Sequence, residues 1–350
     1  MRSLVKPVLF LAVLVGVPLG LYLLVPKSGR ADHLAGARAA IDRRDFATAR
    51  RELDEHLARN PRDADAEFLA ARTARRAGDG PAAEPHLKRY LELGGDPETA
   101  ELEREMQRSQ DGNVSGAAGV LKFCADHPDH PAAPFMLEAM AQGLLKAGDL
   151  VRAVACLDLW LARDLTPADR VQGLVWRGQA LERQGRAPEA AADYGYALAI
   201  DEGHVEARLH LAEFLIRDEP RKALALFERL EREAPGRPEV LFGLARCRRQ
   251  LGDLDAAAQL LARLLANHPD DVAMLTEAGI VALDRGRPAE AEPLLRKAVK
   301  LAPDRREPNL QLARCLHDLG KADEEREQQA RLKQIDDELK RRLDAATRKP

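Results

Sequence analysis

The stretch "CRRQLGDLDAAAQLLARLLANHP", Cys247–Pro269, decides the fold. A run of helix formers ends in Leu-Gly-Asp, a second run opens at once on Leu254, and Pro269 closes it. Ala, Leu, Arg and Gln favour helix. Gly supplies the left-handed backbone needed between two helices, and Pro cannot continue the second. The stretch therefore spells the end of one helix, a tight turn and a second helix. Shifted by 34 residues, it lies over "VALDRGRPAEAEPLLRKAVKLAP" (281–303): Gly252 falls on Gly286, Ala257 on Ala291 and Pro269 on Pro303. One more step carries Gly286 to Gly320, and a step back carries Ala257 to Ala223 and Pro269 to Pro235. The hairpin is one copy of a repeating unit.

Two small-residue slots extend the register along the chain. Each first helix holds one, at Ala37, Ala71, Ala141, Gly178, Ala212, Ala245, Gly279 and Ala313. Each second helix holds the other, at Ala49, Ala83, Ala153, Ala190, Ala223, Ala257 and Ala291. Two antiparallel helices approach closely only where the side chain is a methyl or absent. Leu241, Leu244, Leu261 and Leu264 fill other inward positions on an i, i+3 face. Gly78, Gly148, Gly185, Gly252, Gly286 and Gly320 fall between the helices.

A 34-residue helix-turn-helix with these slots resembles the tetratricopeptide repeat (TPR). The resemblance spans about residues 31–345. It implies an all-α, TPR-type α-solenoid, a right-handed superhelix of helical hairpins. Residues 31–320 are expected to hold about 8–9 hairpins, and 321–350 a polar capping helix and tail, with a short coiled-coil contact as the alternative. Leu332, Ile335, Leu339 and Leu343 give that last helix a thin apolar stripe. Residues 97–128 depart from the pattern, with Arg104 near the expected small slot although Ala117 is well placed, and are read as a degenerate repeat.

Residues 1–30 are different material. Arg2 and Lys6 precede an uncharged run from Pro7 to Pro26, long enough at helical rise to span a hydrocarbon core. An uncleaved signal anchor is expected, with a transmembrane helix over residues 7–26 and the array outside the inner membrane. The alternative is secretion after cleavage near Gly29-Arg30-Ala31.

The remaining totals narrow the function. A net charge of −3 gives no global reason to expect nucleic acid. Cys124, Cys156, Cys247 and Cys315 stand too far apart for zinc knuckles or redox pairs and read as small core residues. Phosphate-loop, dinucleotide, zinc-protease and serine-hydrolase motifs do not occur, so neither an enzyme nor a cofactor is expected. His127 and His130 in "HPDHP" suggest metal, yet His268 precedes a repeat-closing proline as His127 does, and a turn role is expected at both.

By the resemblance, first helices line a concave surface that grips a peptide or partner helix. The residues just after the small slots are Arg38, Arg72, Gln142, Gln179, Glu213, Arg246, Ile280 and Arg314; Arg75, Arg76 and Arg249 lie one turn further on. Arginine donates bidentately to carboxylates, so an acidic protein segment is the expected ligand. Glu98, Glu101 and Glu105 are expected to lie beside Arg72 and Arg75. Asn60, Asn113, Asn267 and Asn309 form no repeated set, against the Lys/Asn clamp of chaperone-binding relatives. The resulting expectation is a membrane-anchored scaffold for proteins at a bacterial envelope. The alternative is a non-catalytic subunit of an exopolysaccharide or other envelope-assembly machine, although Phe68, Phe135, Trp160, Trp176 and Phe242 form no evident sugar-binding stripe.

Overall fold

The computed structural model describes residues 32–347, with side chains to residue 342. Helices and turns make up the described residues, and no strand occurs among them. The membrane-anchor reading falls on residues outside those described. Among the described residues no helix is long and apolar enough to cross a membrane.

The chain divides into two compact units, one through Asp169 and one from Arg170. In the first, α1 (His33–Asp42) pairs with α2 (Phe46–Arg59), and α3 (Ala64–Arg76) with α4 (Gly80–Glu92). Then come α5 (Pro97–Gln110) and α6 (Ala117–Asp126), followed by the hairpin of α7 (Ala133–Ala147) and α8 (Leu150–Leu161). The helix α9 (Pro167–Arg183) starts at the end of this unit. In the second unit the remainder of α9 pairs with α10 (Ala187–Ile200), joined by the Arg177–Asp193 ion pair and the seating of Gly178 on Tyr194. Four further hairpins follow: α11 (Val205–Leu215) with α12 (Pro220–Glu233), α13 (Pro238–Gln250) with α14 (Leu254–Asn267), α15 (Val272–Asp284) with α16 (Pro288–Leu301), and α17 (Arg306–Asp318) with α18 (Ala322–Thr347).

The Leu-Gly-Asp turn works as its residues dictate. Gly252 takes φ +83°, a left-handed value that L side chains resist. Its N–H donates to the Arg249 carbonyl at 3.0 Å, and the Asp253 N–H donates to that of Arg248 at 2.9 Å. These bonds satisfy carbonyls that the end of α13 would otherwise leave open. The Asp253 carboxylate then accepts from the Ala256 N–H and starts α14. The five other turn glycines named above also have positive φ.

The small slots lie where the helices touch. All seven second-helix alanines and all six first-helix alanines are buried. At Gly178 and Gly279, an added Cβ would run into Tyr194 and Leu295 of the following helix. Leu241, Leu244, Leu261 and Leu264 join Phe227 and Leu230 in one core. In α18, Ile335 is buried, while Leu339 lies almost half exposed.

Residues 97–128 form two helices, but not a hairpin of the regular kind. α5 packs along α7, and α6 lies against α7 and α8. Arg104 turns outward to grip Glu84 with two hydrogen bonds, at 2.7 and 3.0 Å, while Ala100, Glu103 and Met106 face inward. The contact of α5 with α7 is tightest at Gly143, where a Cβ would overlap the Ser109 carbonyl oxygen. Backbone cannot swing aside as a side-chain end can. Gly143→Ala should therefore cost the first unit about 1–3 kcal/mol, as overpacking does. Gly119→Ala, at an open position on α6, should be neutral or add about 0.5 kcal/mol. Urea midpoints of the two variants decide this, and equal midpoints would refute the backbone contact.

Candidate functional site on the first-helix face

The arginines expected to await a ligand meet different fates. In the first unit most already hold an anion. Arg75 is fully buried on α3, donating from Nε to Glu103 at 2.6 Å and from Nη1 to Gln110 at 3.1 Å. Arg72 donates to the other oxygen of Glu103 at 3.2 Å, and its guanidinium lies between the rings of Phe68 and Phe135, 4.6 and 4.1 Å from their centroids. The carboxylate beside Arg72 and Arg75 is thus Glu103, not the expected Glu98, Glu101 and Glu105. Glu101 and Glu105 instead pair with Arg108, one or two turns along their own helix.

Arg76 belongs to a second cluster. It donates to Glu138 at 2.8 Å and to Asp169 at 2.5 Å. Arg44 reaches the same two carboxylates at 2.7 and 2.6 Å. Two cations and two anions from widely separated parts of the chain thus neutralise one another within the unit. Arg44 was not legible as a site residue, although one signal points to it. It stands 34 residues before Gly78, in the turn slot that glycine otherwise fills, with φ 57°. A non-glycine residue there costs about 1–2 kcal/mol. At this turn the side chain earns its place by reaching Glu138 and Asp169.

The electrostatics follow from the pairing. Burial alone would raise the Glu138 carboxyl, but Arg76 and Arg44 outweigh it and hold Glu138 below the ordinary carboxylate range. Burial likewise weakens the hold of Arg76 on its proton, and here Glu138 and Asp169 more than compensate. At Arg72, which shares Glu103 with Arg75, burial prevails and the shift is downward.

The remaining predicted residues are more open. Arg38 is exposed, Gln142 is half-buried, and Gln179 donates to Glu206 at 2.7 Å. Arg249 donates to Glu277 at 2.6 Å, and Arg314 donates to Asp284 at 3.2 Å. Arg246 is half-buried beside the Phe242 ring, 5.9 Å from its centroid, and forms no ion pair among the described residues.

His127 and His130 serve their turn, the first donating to the Phe123 carbonyl and the second accepting from the Ala132 N–H, both packed on the Phe123 ring. The four cysteines are buried, and burial pushes the Cys247 thiol up to about 11, the wrong direction for a nucleophile. Glu182, His210 and Glu213, in the second unit, bring one ligand atom each within 4.8 Å of one another.

A succession of helical hairpins closed on small residues, with polar first-helix faces, defines a helical repeat protein. Models of the tetratricopeptide repeat match residues 34–97 and 138–205, and again residues 217–278 and 282–337, more than half of the chain. The chain belongs to the tetratricopeptide repeat family. Both models leave out α5 and α6. A tetratricopeptide repeat protein from Parabacteroides merdae is 15% identical over 78% of this chain and 92% of its own, with a TM-score of 0.51. YrrB, described as a TPR protein with an unusual peptide-binding site, is 21% identical over 55% of this chain and 96% of its own, with a TM-score of 0.43. MamA from Desulfovibrio magneticus is 16% identical over 49% and 96%, also at 0.43. No curated protein matches the chain.

The buried cluster has a pH signature. A carboxyl with a depressed folded pKa lets the unfolded chain bind protons first, so its stabilisation is complete above the unfolded value and vanishes as pH falls through the folded one. Glu138→Gln leaves two buried arginines to one carboxylate and should cost the first unit about 3–5 kcal/mol near neutrality. The wild type should lose stability steeply below the ordinary glutamate range, and the variant less so. Urea midpoints measured from pH 7 downward would show two parallel curves if the cluster carried no such charge.

Proposed function

We propose that this protein is a non-catalytic scaffold whose first-helix face in the second unit holds an acidic segment of a partner protein. We propose further that residues 7–26 tether it to a bacterial inner membrane, with the repeats outside the cytoplasm. The observation that carries the binding reading is Arg246: a half-buried guanidinium, steadied against Phe242, that forms no ion pair among the described residues although the charge of Glu213 bears on it from the preceding hairpin. A cation already stripped of part of its water and held in place is ready for a bidentate carboxylate. The arginines of α3 support the same division of labour, since Glu103, Glu138 and Asp169 already occupy them. A polypeptide suits the face better than a polysaccharide. Trp160 is buried, and Phe68 and Phe135 are committed to Arg72, which leaves few aromatic platforms for sugar rings.

A photo-crosslinking residue at Phe242 should capture a partner in living cells. Arg246→Glu should reduce that capture by about tenfold or more, because truncating a desolvated charge contact costs roughly 2–5 kcal/mol. Capture that survives Arg246→Glu would refute the role of this residue. The tether is tested separately. The full chain should stay with membranes through an alkaline wash while residues 31–350 wash free; release of both would remove the anchor.

A further inference from the structure

We propose that Glu182, His210 and Glu213 form a binding site for a divalent transition-metal ion of the zinc type on the first-helix face of the second unit. Glu182 lies in the last turn of α9; His210 and Glu213 lie on α11 at i, i+3, so both project from one face of that helix. The Glu182 Oε2 and His210 Nδ1 atoms are 3.3 Å apart. Two ligands each about 2.0 Å from a tetrahedral zinc stand about 3.3 Å apart, so this pair already has the required span. The Glu213 carboxylate needs only to swing inward from within 4.8 Å.

Three further features fit a metal better than an ordinary ion pair. First, His210 Nδ1 is shielded from solvent and makes no hydrogen bond among the described residues. With the proton on Nε2 it offers a lone pair, the form in which imidazole binds metals. Second, the Tyr194 hydroxyl donates to the same Glu182 oxygen at 3.0 Å, while its ring stacks on the His210 imidazole at 5.0 Å and 13°. One residue thus orients both ligands, the supporting arrangement that metal ligands require. Third, two carboxylates on one neutral imidazole carry two negative charges, which a divalent cation cancels. A cavity of about 140 Å³ opens beside them, bordered by Ala187, Ala190 and Phe214. Three protein donors leave a position for water or for a partner's side chain.

The test uses the full chain in detergent, stripped with a chelator and titrated with Co²⁺ and then Zn²⁺. One equivalent of Co²⁺ should give the visible absorption of a low-coordinate site, and Zn²⁺ should abolish it. Glu213→Gln, an exposed and isosteric change, should weaken binding at least tenfold with the helical circular dichroism unchanged. Tyr194→Phe, which keeps the ring and removes the hydroxyl, should weaken it about tenfold. His127→Ala with His130→Ala should have no effect. Binding that survives Glu213→Gln, binding lost with the two turn histidines, or no uptake at micromolar metal would each overturn the proposal.

Discussion

Every regular hairpin before the last depends on a small side chain set against a large one. Four residues after each second-helix alanine stands a buried bulky residue: Leu53, Leu87, Leu157, Tyr194, Phe227, Leu261 and Leu295. Where the facing residue is glycine, the fit is closest: Tyr194 lies on Gly178, Phe227 on Gly243 and Leu295 on Gly279. A further methyl on the glycine side would force the ring or branch away, and a smaller residue opposite would leave a void. Because the seam sets how two helices meet, the outward first-helix positions are free of that duty. Arg, Gln, Glu and Ile can all follow the slot without disturbing the hairpin.

The two units use that freedom differently. In the first, Arg44, Arg72, Arg75 and Arg76 are matched by Glu103, Glu138 and Asp169. Buried pairs of this kind add little stability over well-packed apolar residues, but breaking one partner is costly. Their effect is to specify register. Glu138 on α7 is satisfied only when the α1–α2 turn and the end of α3 both reach it. The left-handed backbone at Arg44 is offset by charged hydrogen bonds worth about 1.5–3 kcal/mol each. The irregular α5 belongs to the same logic, since it trades the regular hairpin for a direct seat on α7 and brings Glu103 beneath two arginines.

Period, turns and packing slots were legible in the sequence because each is local and repeats. Gly252, Ala257 and Pro269 each announce a backbone or steric requirement that no neighbour can alter. The bulky residues opposite the slots were not singled out, because Leu, Tyr and Phe there look like ordinary core, although each stands a constant four residues after its alanine. Pairing was not legible. The sequence sets Glu101 and Glu105 as near to Arg72 as Glu103, but helix phase alone decides that Glu103 points inward while the others meet Arg108. Arg44 and Asp169 are separated by 125 residues, and no spacing rule spans them. The Glu182, His210 and Glu213 grouping escaped for a related reason. Its ligands come from two hairpins, so their interval follows the repeat and matches no metal-binding motif.

On the proposed reading, charge balance is what distinguishes the faces. A partner carboxylate approaching α3 would have to displace an internal one of equal charge, with no net gain in pairing. At Arg246 it has no ion pair to break, although it shares the guanidinium's field with Glu213. Glu213 holds the equivalent place one hairpin earlier, close enough for the Arg246 charge to bear on its carboxyl. A divalent ion on Glu182, His210 and Glu213 would cancel the negative field that Arg246 now partly answers. Its attraction for an incoming carboxylate would then be undivided. By linkage the dependence runs both ways, so an acidic segment seated on Arg246 would tighten the metal as much as the metal tightens the segment.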